Sequence, residues 1–297
     1  AALDRPKERR SPHAMNSASH RAPLRPRPSR AQGQHFLVQP QTAARIAACA
    51  RITPHDEVIE IGAGRGALSE HLMRAQPRRL VLVEIDRSLA ADLKSRLMSP
   101  GIAVVHADFL ALELKDLIED TPVKVVGNLP FNCASAIFQR LGQWRKEIAR
   151  MVLMFQREVA ERIRARPAES AYGALSVLTA IHWEIQEHFR VPAGNFYPQP
   201  KVDAEVLVFT PVARPMNETQ ERVVTDVIKA CFFSQRKMLR NALASGLKIS
   251  PQVAVQRLEQ ASIDPAARPA QLRLEDFARL ARALDGLMPS EGSRADA

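Results

Sequence analysis

Short apolar runs alternate with helical stretches from about Gln34 onward. EVIEIG, RLVLVEID, IAVVHAD, VKVVGNL and RMVLMFQ are almost continuously apolar, as strands buried on both faces are. Between them ALSEHLMRA, RSLAADLKSRLM and CASAIFQRLGQW place apolar residues at the spacing of a helix that packs on one side. This alternation predicts an α/β unit, a parallel sheet with helices on both faces. EIQEHFRV and EVLVFTP lie only a loop apart and read as a hairpin added at the sheet edge. After PVARPMN (211–217) the pattern changes. ETQERVVTDVIKACFF, RKMLRNALASG, PQVAVQRLEQ and LEDFARLARALDGL all have helical period, and no strand-like run follows. The predicted layout is a basic tail at 1–32, an α/β domain at 33–212, a small all-helical domain at 217–287 and a loose end at 288–297.

Composition changes this picture little. The 297 residues, 46% of them hydrophobic, suffice for one large domain or two modest ones. No apolar run approaches the length of a membrane span, and no signal peptide is visible. Cys49, Cys133 and Cys231 are scattered without ligand spacing, which fits a reduced cytosolic compartment without structural zinc. Charge adds more. The net charge is +10, and residues 1–30 hold eight Lys/Arg against two acids, with five prolines. Such a stretch reads as disordered, either adding nonspecific nucleic-acid affinity or serving as a solvated extension. A basic chain favours an anionic partner such as RNA, but charge says nothing about chemistry.

Candidate chemistry begins at VIEIGAGRGALSEHL, a strand, a glycine loop and a helix. Gly62, Gly64 and Gly66 let the backbone approach a ligand beside a helix N-terminus. Glu84 ends the next strand, where a carboxylate would accept hydrogen bonds from ribose hydroxyls. Gly62, Gly64 and Ala67 also satisfy the dinucleotide fingerprint, so a nicotinamide oxidoreductase stands beside other nucleoside-binding enzymes. Asp108, after the third strand, either accepts from an adenine amino group or caps the next helix. The fourth strand ends in VVGNLPFNCA. A dehydrogenase needs no Asn-x-Pro-aromatic there, whereas an amino-group methyltransferase does. The Asn128 Oδ1 and the Leu129 carbonyl can accept the two N–H bonds of an exocyclic amine, which turns its lone pair toward a methyl donor. Pro130 fixes the turn, and Phe131 offers a stacking face. Cys133 reads as a small packing residue.

These motifs, with GQHFL, VEIDRSL, AYGALSV, NFYPQPKVDAEV, FSQRKMLRNAL and SIDPAARP, give residues 33–285 a resemblance to the KsgA-type ribosomal RNA adenine dimethyltransferases. The resemblance implies a class I, Rossmann-like fold with a mostly parallel seven-stranded sheet, and S-adenosylmethionine (SAM) as methyl donor. The implied substrate is a pair of adjacent adenines near the 3′ end of small-subunit rRNA, each dimethylated in the late pre-30S particle by a cytoplasmic monomer. Carried over by motif, the SAM contacts fall on His35, Leu37, Gly62, Gly64, Glu84, Asp108 and Asn128. The catalytic set falls on Asn128, Leu129, Pro130 and Phe131. Phe196 reads from sequence as a core anchor, but the resemblance implies that it stacks on the second face of the target base. This chain has His35 where the family usually has Asn, and Phe131 where it usually has Tyr. No metal is implied, because the leaving group is a neutral thioether.

Arg236, Lys237 and Arg240 stand at i, i+1 and i+4, so on one continuous helix they share a face that could bind RNA phosphates. Other readings are a related methylase of large-subunit rRNA, the mitochondrial relative, and an RNA-binding assembly factor whose methylation is secondary. A cytosine C5-methylase would need a Pro-Cys pair, which the sequence lacks.

Overall fold

The computed structural model describes residues 34–97, 99–120, 122–213, 216–234 and 236–284. The two predicted tails, 1–32 and 288–297, lie outside the described residues. The main sheet runs β4 (Ile102–His106), β3 (Arg79–Glu84), β2 (Glu57–Ile61), β5 (Val123–Asn128), β6 (Ile148–Gln156), β9 (Ala204–Pro211) and β7 (Trp183–Val191). The first five strands are parallel, and β9 is antiparallel to both β6 and β7. The late hairpin therefore sits at the edge as expected, with its second strand on the inside.

Alternation along each strand sends side chains to two cores. Ile59, Ile61, Val125, Leu153 and Phe155 pack under α4 (Ala134–Gln143) on one face. Val58, Leu80, Leu82, Val126 and Val152 pack on the other, under α1 (Pro40–Cys49), α2 (Ser69–Arg74) and α3 (Arg87–Leu97). Burial on both faces is why these strands lack a polar alternation. A two-residue ribbon, β1 (Phe36–Leu37) against β8 (Phe196–Tyr197), crosses the end of the sheet where the parallel strands finish.

Two further helices, α5 (Arg157–Arg164) and α6 (Ala174–His182), follow β6. The C-terminal helices are α7 (Glu218–Phe232), α8 (Leu239–Leu247), α9 (Pro251–Gln260) and α10 (Leu274–Ala283). Their core is not theirs alone. Tyr172, Val177 and Ile181, from α6 and the loop before it, are buried in the same cluster as Val227, Leu243, Leu258 and Phe277. The Tyr172 hydroxyl donates to the Leu272 carbonyl at 2.8 Å. Two ion pairs cross the same seam, Arg145–Glu221 at 2.6 Å and Lys146–Glu218 at 2.9 Å.

Helices α7 and α8 cross closely at Gly246. A Cβ there would lie 2.7 Å from the Ala230 Cα, inside any real contact distance. Gly246→Ala is expected to force the helices apart and to cost about 1–3 kcal/mol, read as a lower denaturation midpoint at unchanged m-value.

One sequence expectation fails here. RKMLRNALASG is not helical from its start, because α8 begins only at Leu239. Met238 is extended at the N-cap, and the Lys237 amide closes a turn onto the Ser234 carbonyl at 2.9 Å. Arg236 and Lys237 therefore occupy the α7–α8 turn, and they do not share a helix face with Arg240.

Candidate active site

The carboxyl ends of β2, β3 and β5 meet the β1–β8 ribbon around a cleft. Its walls include His35, Leu37, Gly62, Gly64, Glu84 and Asn128. The floor is built by the glycine loop. Gly62 and Gly64 hold φ of +73° and +56°, a region that side-chain-bearing residues rarely adopt. A Cβ on Gly64 would come within 3.2 Å of the Phe36 ring. The Arg65 guanidinium lies over that ring, 4.5 Å from its centroid.

Glu84 closes the loop from the end of β3. Its Oε2 accepts from the Gly64 amide at 2.7 Å and its Oε1 from the Asp86 amide at 2.9 Å. Burial raises its pKa, and these two amides pull it back. Each oxygen keeps a further lone pair, so the carboxylate can still accept from a diol.

Glu60 lies deeper and is 1% exposed. Its Oε2 and the Ser69 Oγ make no hydrogen bond with any described residue. Burial pushes the Glu60 carboxyl up to about 8, with a smaller push from Glu84, and the nearby Ser69 hydroxyl, outside hydrogen-bond geometry, offsets this only in part. Folding thus favours protonated Glu60. That contribution to stability is complete below the ordinary value of 4.5 and is lost as pH rises through about 8. Glu60→Gln cannot ionise. In the absence of ligand it is expected to melt higher than the parent at about pH 9 and nearly equally at about pH 5. An equal difference at both pH values would count against a protonated Glu60.

The turn after β5 carries the reactive groups. The Asn128 Nδ2 donates to the backbone carbonyl of His35 at 3.0 Å, which fixes the amide and leaves Oδ1 as its unspent acceptor. The Pro130 carbonyl is occupied by the Cys133 amide at 3.2 Å, whereas the Leu129 carbonyl takes no hydrogen bond from a described residue. Phe131 is half-buried at the mouth of the cleft. His35 joins the two sides of that mouth. Its ring faces Phe131 at 5.3 Å between centroids, and its Nδ1 donates to the Pro198 carbonyl at 2.7 Å. Burial pushes the Cys133 thiol up, away from thiolate chemistry.

Two predicted residues stand apart. Asp108 is exposed and does not line the cleft; its Oδ1 caps the following turn by accepting from the Leu110 amide at 2.9 Å. Phe196 is 3% exposed in the core beneath the ribbon, with Val191 and Ala204 in the same cluster. Alternation along β8 points Phe196 inward and leaves Tyr197 58% exposed. The core-anchor reading of Phe196 matches this geometry; a ring stacked on a substrate base does not.

Residues 28–285 match the ribosomal RNA adenine dimethylase family. The chain belongs to that family. Curated members similar to it include the ribosomal RNA small subunit methyltransferase A of Syntrophotalea carbinolica, 40% identical over 86% of this chain and 96% of that protein. The protein of the same name from Geobacter metallireducens is 36% identical over 88% and 97%. Among solved structures, a dimethyladenosine transferase from Plasmodium falciparum superposes with a TM-score of 0.72 at 22% identity, covering 85% of this chain and 98% of that one. The 23S rRNA methyltransferase ErmE gives 0.64 at 29% identity, covering 84% and 99%. The architecture is thus the class I methyltransferase fold with a helical C-terminal unit.

Glu60, Phe36 and Arg65 also line the cleft, and no motif in the sequence singles them out. Glu60 had a signal, a charge inside an otherwise apolar stretch of strand. Phe36 and Arg65 had none, because their placement depends on a ribbon joining residues far apart in the chain.

The cleft fits SAM on its own terms. It has a glycine floor that a side chain would fill, a buried carboxylate at the end of β3, and the buried Glu60 carboxyl, one oxygen of which lacks a partner among the described residues. Gly62, Gly64, Glu84, Ile85 and His35 would hold it.

Proposed function

We infer that this chain is a SAM-dependent RNA dimethyltransferase that methylates the N6 amines of adjacent adenines in small-subunit rRNA. The observation that supports it most is the tethered Asn128 amide, with a free acceptor oxygen beside the Leu129 carbonyl at the mouth of a nucleoside-type cleft. SAM supplies an electrophilic methyl group. The chain's own residues prepare the nucleophile. An adenine amine is weakly nucleophilic because its lone pair is delocalised into the ring. Two acceptors that take its N–H bonds turn that lone pair outward and favour the positive charge developing on nitrogen. Phe131 stacks on the extruded base, and His35 keeps that ring in place. After one transfer a single N–H remains, and one of the two acceptors suffices to orient it.

No helix among the described residues is long and apolar enough to cross a membrane. Among them, no group of three or more His, Cys, Asp or Glu could hold a metal ion. We propose that the protein acts as a cytoplasmic monomer on the pre-30S particle; the names of its curated relatives support the small-subunit target. Incubation of methyl-labelled SAM with immature small subunits and, in parallel, with immature large subunits, followed by mapping of methylated adenosine, tests the reading. Label confined to adjacent adenines of small-subunit rRNA is expected. Label confined to large-subunit RNA would overturn it in favour of an ErmE-like activity.

A further inference from the structure

Six large hydrophobic side chains are well exposed among the described residues. Four of them, Val38, Ile85, Tyr197 and Val202, belong to the cleft or to the ribbon and loop beside it. The other two, Phe233 and Met238, bracket the α7–α8 turn, and Phe233 is 75% exposed. Its neighbour Phe232 satisfies the helical core, tilted against Phe277 at 5.8 Å between centroids and meeting Tyr172 edge-on at 6.3 Å. The core thus does not call for a second ring, and Phe233 leaves its apolar face in water at the end of α7.

The turn that carries Phe233 is held in place. Its amide donates to the Ala230 carbonyl at 3.3 Å, and the Lys237 amide to the Ser234 carbonyl at 2.9 Å. The following residues are tied to the loop before α10, the Leu239 amide to the Ala267 carbonyl at 2.7 Å and the Arg240 amide to the Pro265 carbonyl at 3.2 Å. A ring on an anchored turn loses little freedom on binding. The cations beside it are uncommitted. The side chains of Arg236, Lys237 and Arg240 make no hydrogen bond or ion pair with any described residue, whereas Arg145 and Lys146 are both paired with α7 carboxylates. An open aromatic face next to unneutralised cations complements a ligand that carries a flat ring and an anionic backbone together.

We propose that Phe233 is a base-stacking residue, which receives an unpaired nucleobase of the RNA substrate while Arg236 and Lys237 hold neighbouring phosphates. This rests on the reading of the chain as an rRNA methyltransferase and adds a second point of attachment outside the methylation cleft. A ring stacks on any base, so this arrangement favours an unpaired nucleotide over duplex without reading its identity.

Stacking and phosphate binding respond differently to salt, which makes the test specific. Affinity for immature small subunits is measured across a salt series for the full chain and its variants. Phe233→Ala is expected to weaken binding about tenfold with the salt slope unchanged, because the same phosphates remain neutralised. Phe233→Leu, apolar but not planar, should weaken it as much, and Phe233→Tyr should bind like the parent. Substituting Arg236 and Lys237 by Ala should instead flatten the slope by about one unit for each phosphate no longer neutralised. Phe233→Trp provides a direct signal, since the native Trp183 is buried and Trp144 half-buried: its fluorescence should be quenched by the subunit. Parent-like affinity in Phe233→Ala, or full retention in Phe233→Leu, would overturn the stacking role and leave the methyltransferase reading untouched. Failure of the parent chain itself to bind or methylate the subunit would overturn both.

Discussion

Asn128→Ala is expected to lower turnover by about 10²–10³-fold while SAM affinity stays within a few-fold. The magnitude is that of one preorganised polar group removed from a transition state. Asn128 Oδ1 acts only as the amine becomes a nucleophile, so its removal touches the chemical step more than ground-state binding. The same substitution also frees the His35 carbonyl that Nδ2 now occupies. Single-turnover methylation of immature subunits, with SAM titrated separately by calorimetry, separates the two quantities. A variant with nearly parental turnover would remove Asn128 from the mechanism.

Glu84→Ala should abolish most SAM binding, by about 10²-fold or more, for two reasons that add. The diol of the ribose loses a charged acceptor, worth roughly 1.5–3 kcal/mol. The glycine loop loses its clasp as well, because the Gly64 and Asp86 amides are left without their partner. Reduced thermal stability without ligand is therefore expected alongside the weaker affinity. Glu84→Gln keeps one acceptor oxygen and should fall between the parent and Ala on both measures. Unchanged SAM affinity in Glu84→Ala would mean that the nucleoside does not dock at the end of β3.

The sheet and its helices were legible because two-sided burial imposes continuous apolar runs, and one-sided packing imposes a helical period. The start of α8 was not. RKMLRNALASG has helical composition throughout, and only a turn closed by Lys237 and Ser234 delays the helix to Leu239. Phe196 was legible as a core residue from its neighbours, and the structure agrees with that reading over the one taken from the family. The cleft was legible only in part. Local motifs located Gly62, Glu84 and Asn128, but the tether between Asn128 and His35 joins residues far apart in the chain, and no spacing announces it. The two positions where this chain departs from the usual family residues, His35 and Phe131, prove to touch each other. Taken singly, Phe131 lacks a hydroxyl and His35 exchanges an amide for an imidazole; together they form a ring pair, with His35 also bonded to Pro198.

The core that α6 shares with the C-terminal helices turns the molecule into a caliper. Tyr172, Val177 and Ile181 are buried among α7–α10, while α6 continues directly into β7 of the sheet. The jaw that would grip RNA and the jaw that would deliver methyl groups are thus welded through one packed seam. If the chain methylates rRNA as proposed, an adenine would be eligible by its offset from the docked RNA more than by the letters around it. Adjacent adenines can share that eligibility, because a step of one nucleotide is small against the span such a frame fixes. Selection of this kind depends on a folded RNA that holds its own half of the measurement.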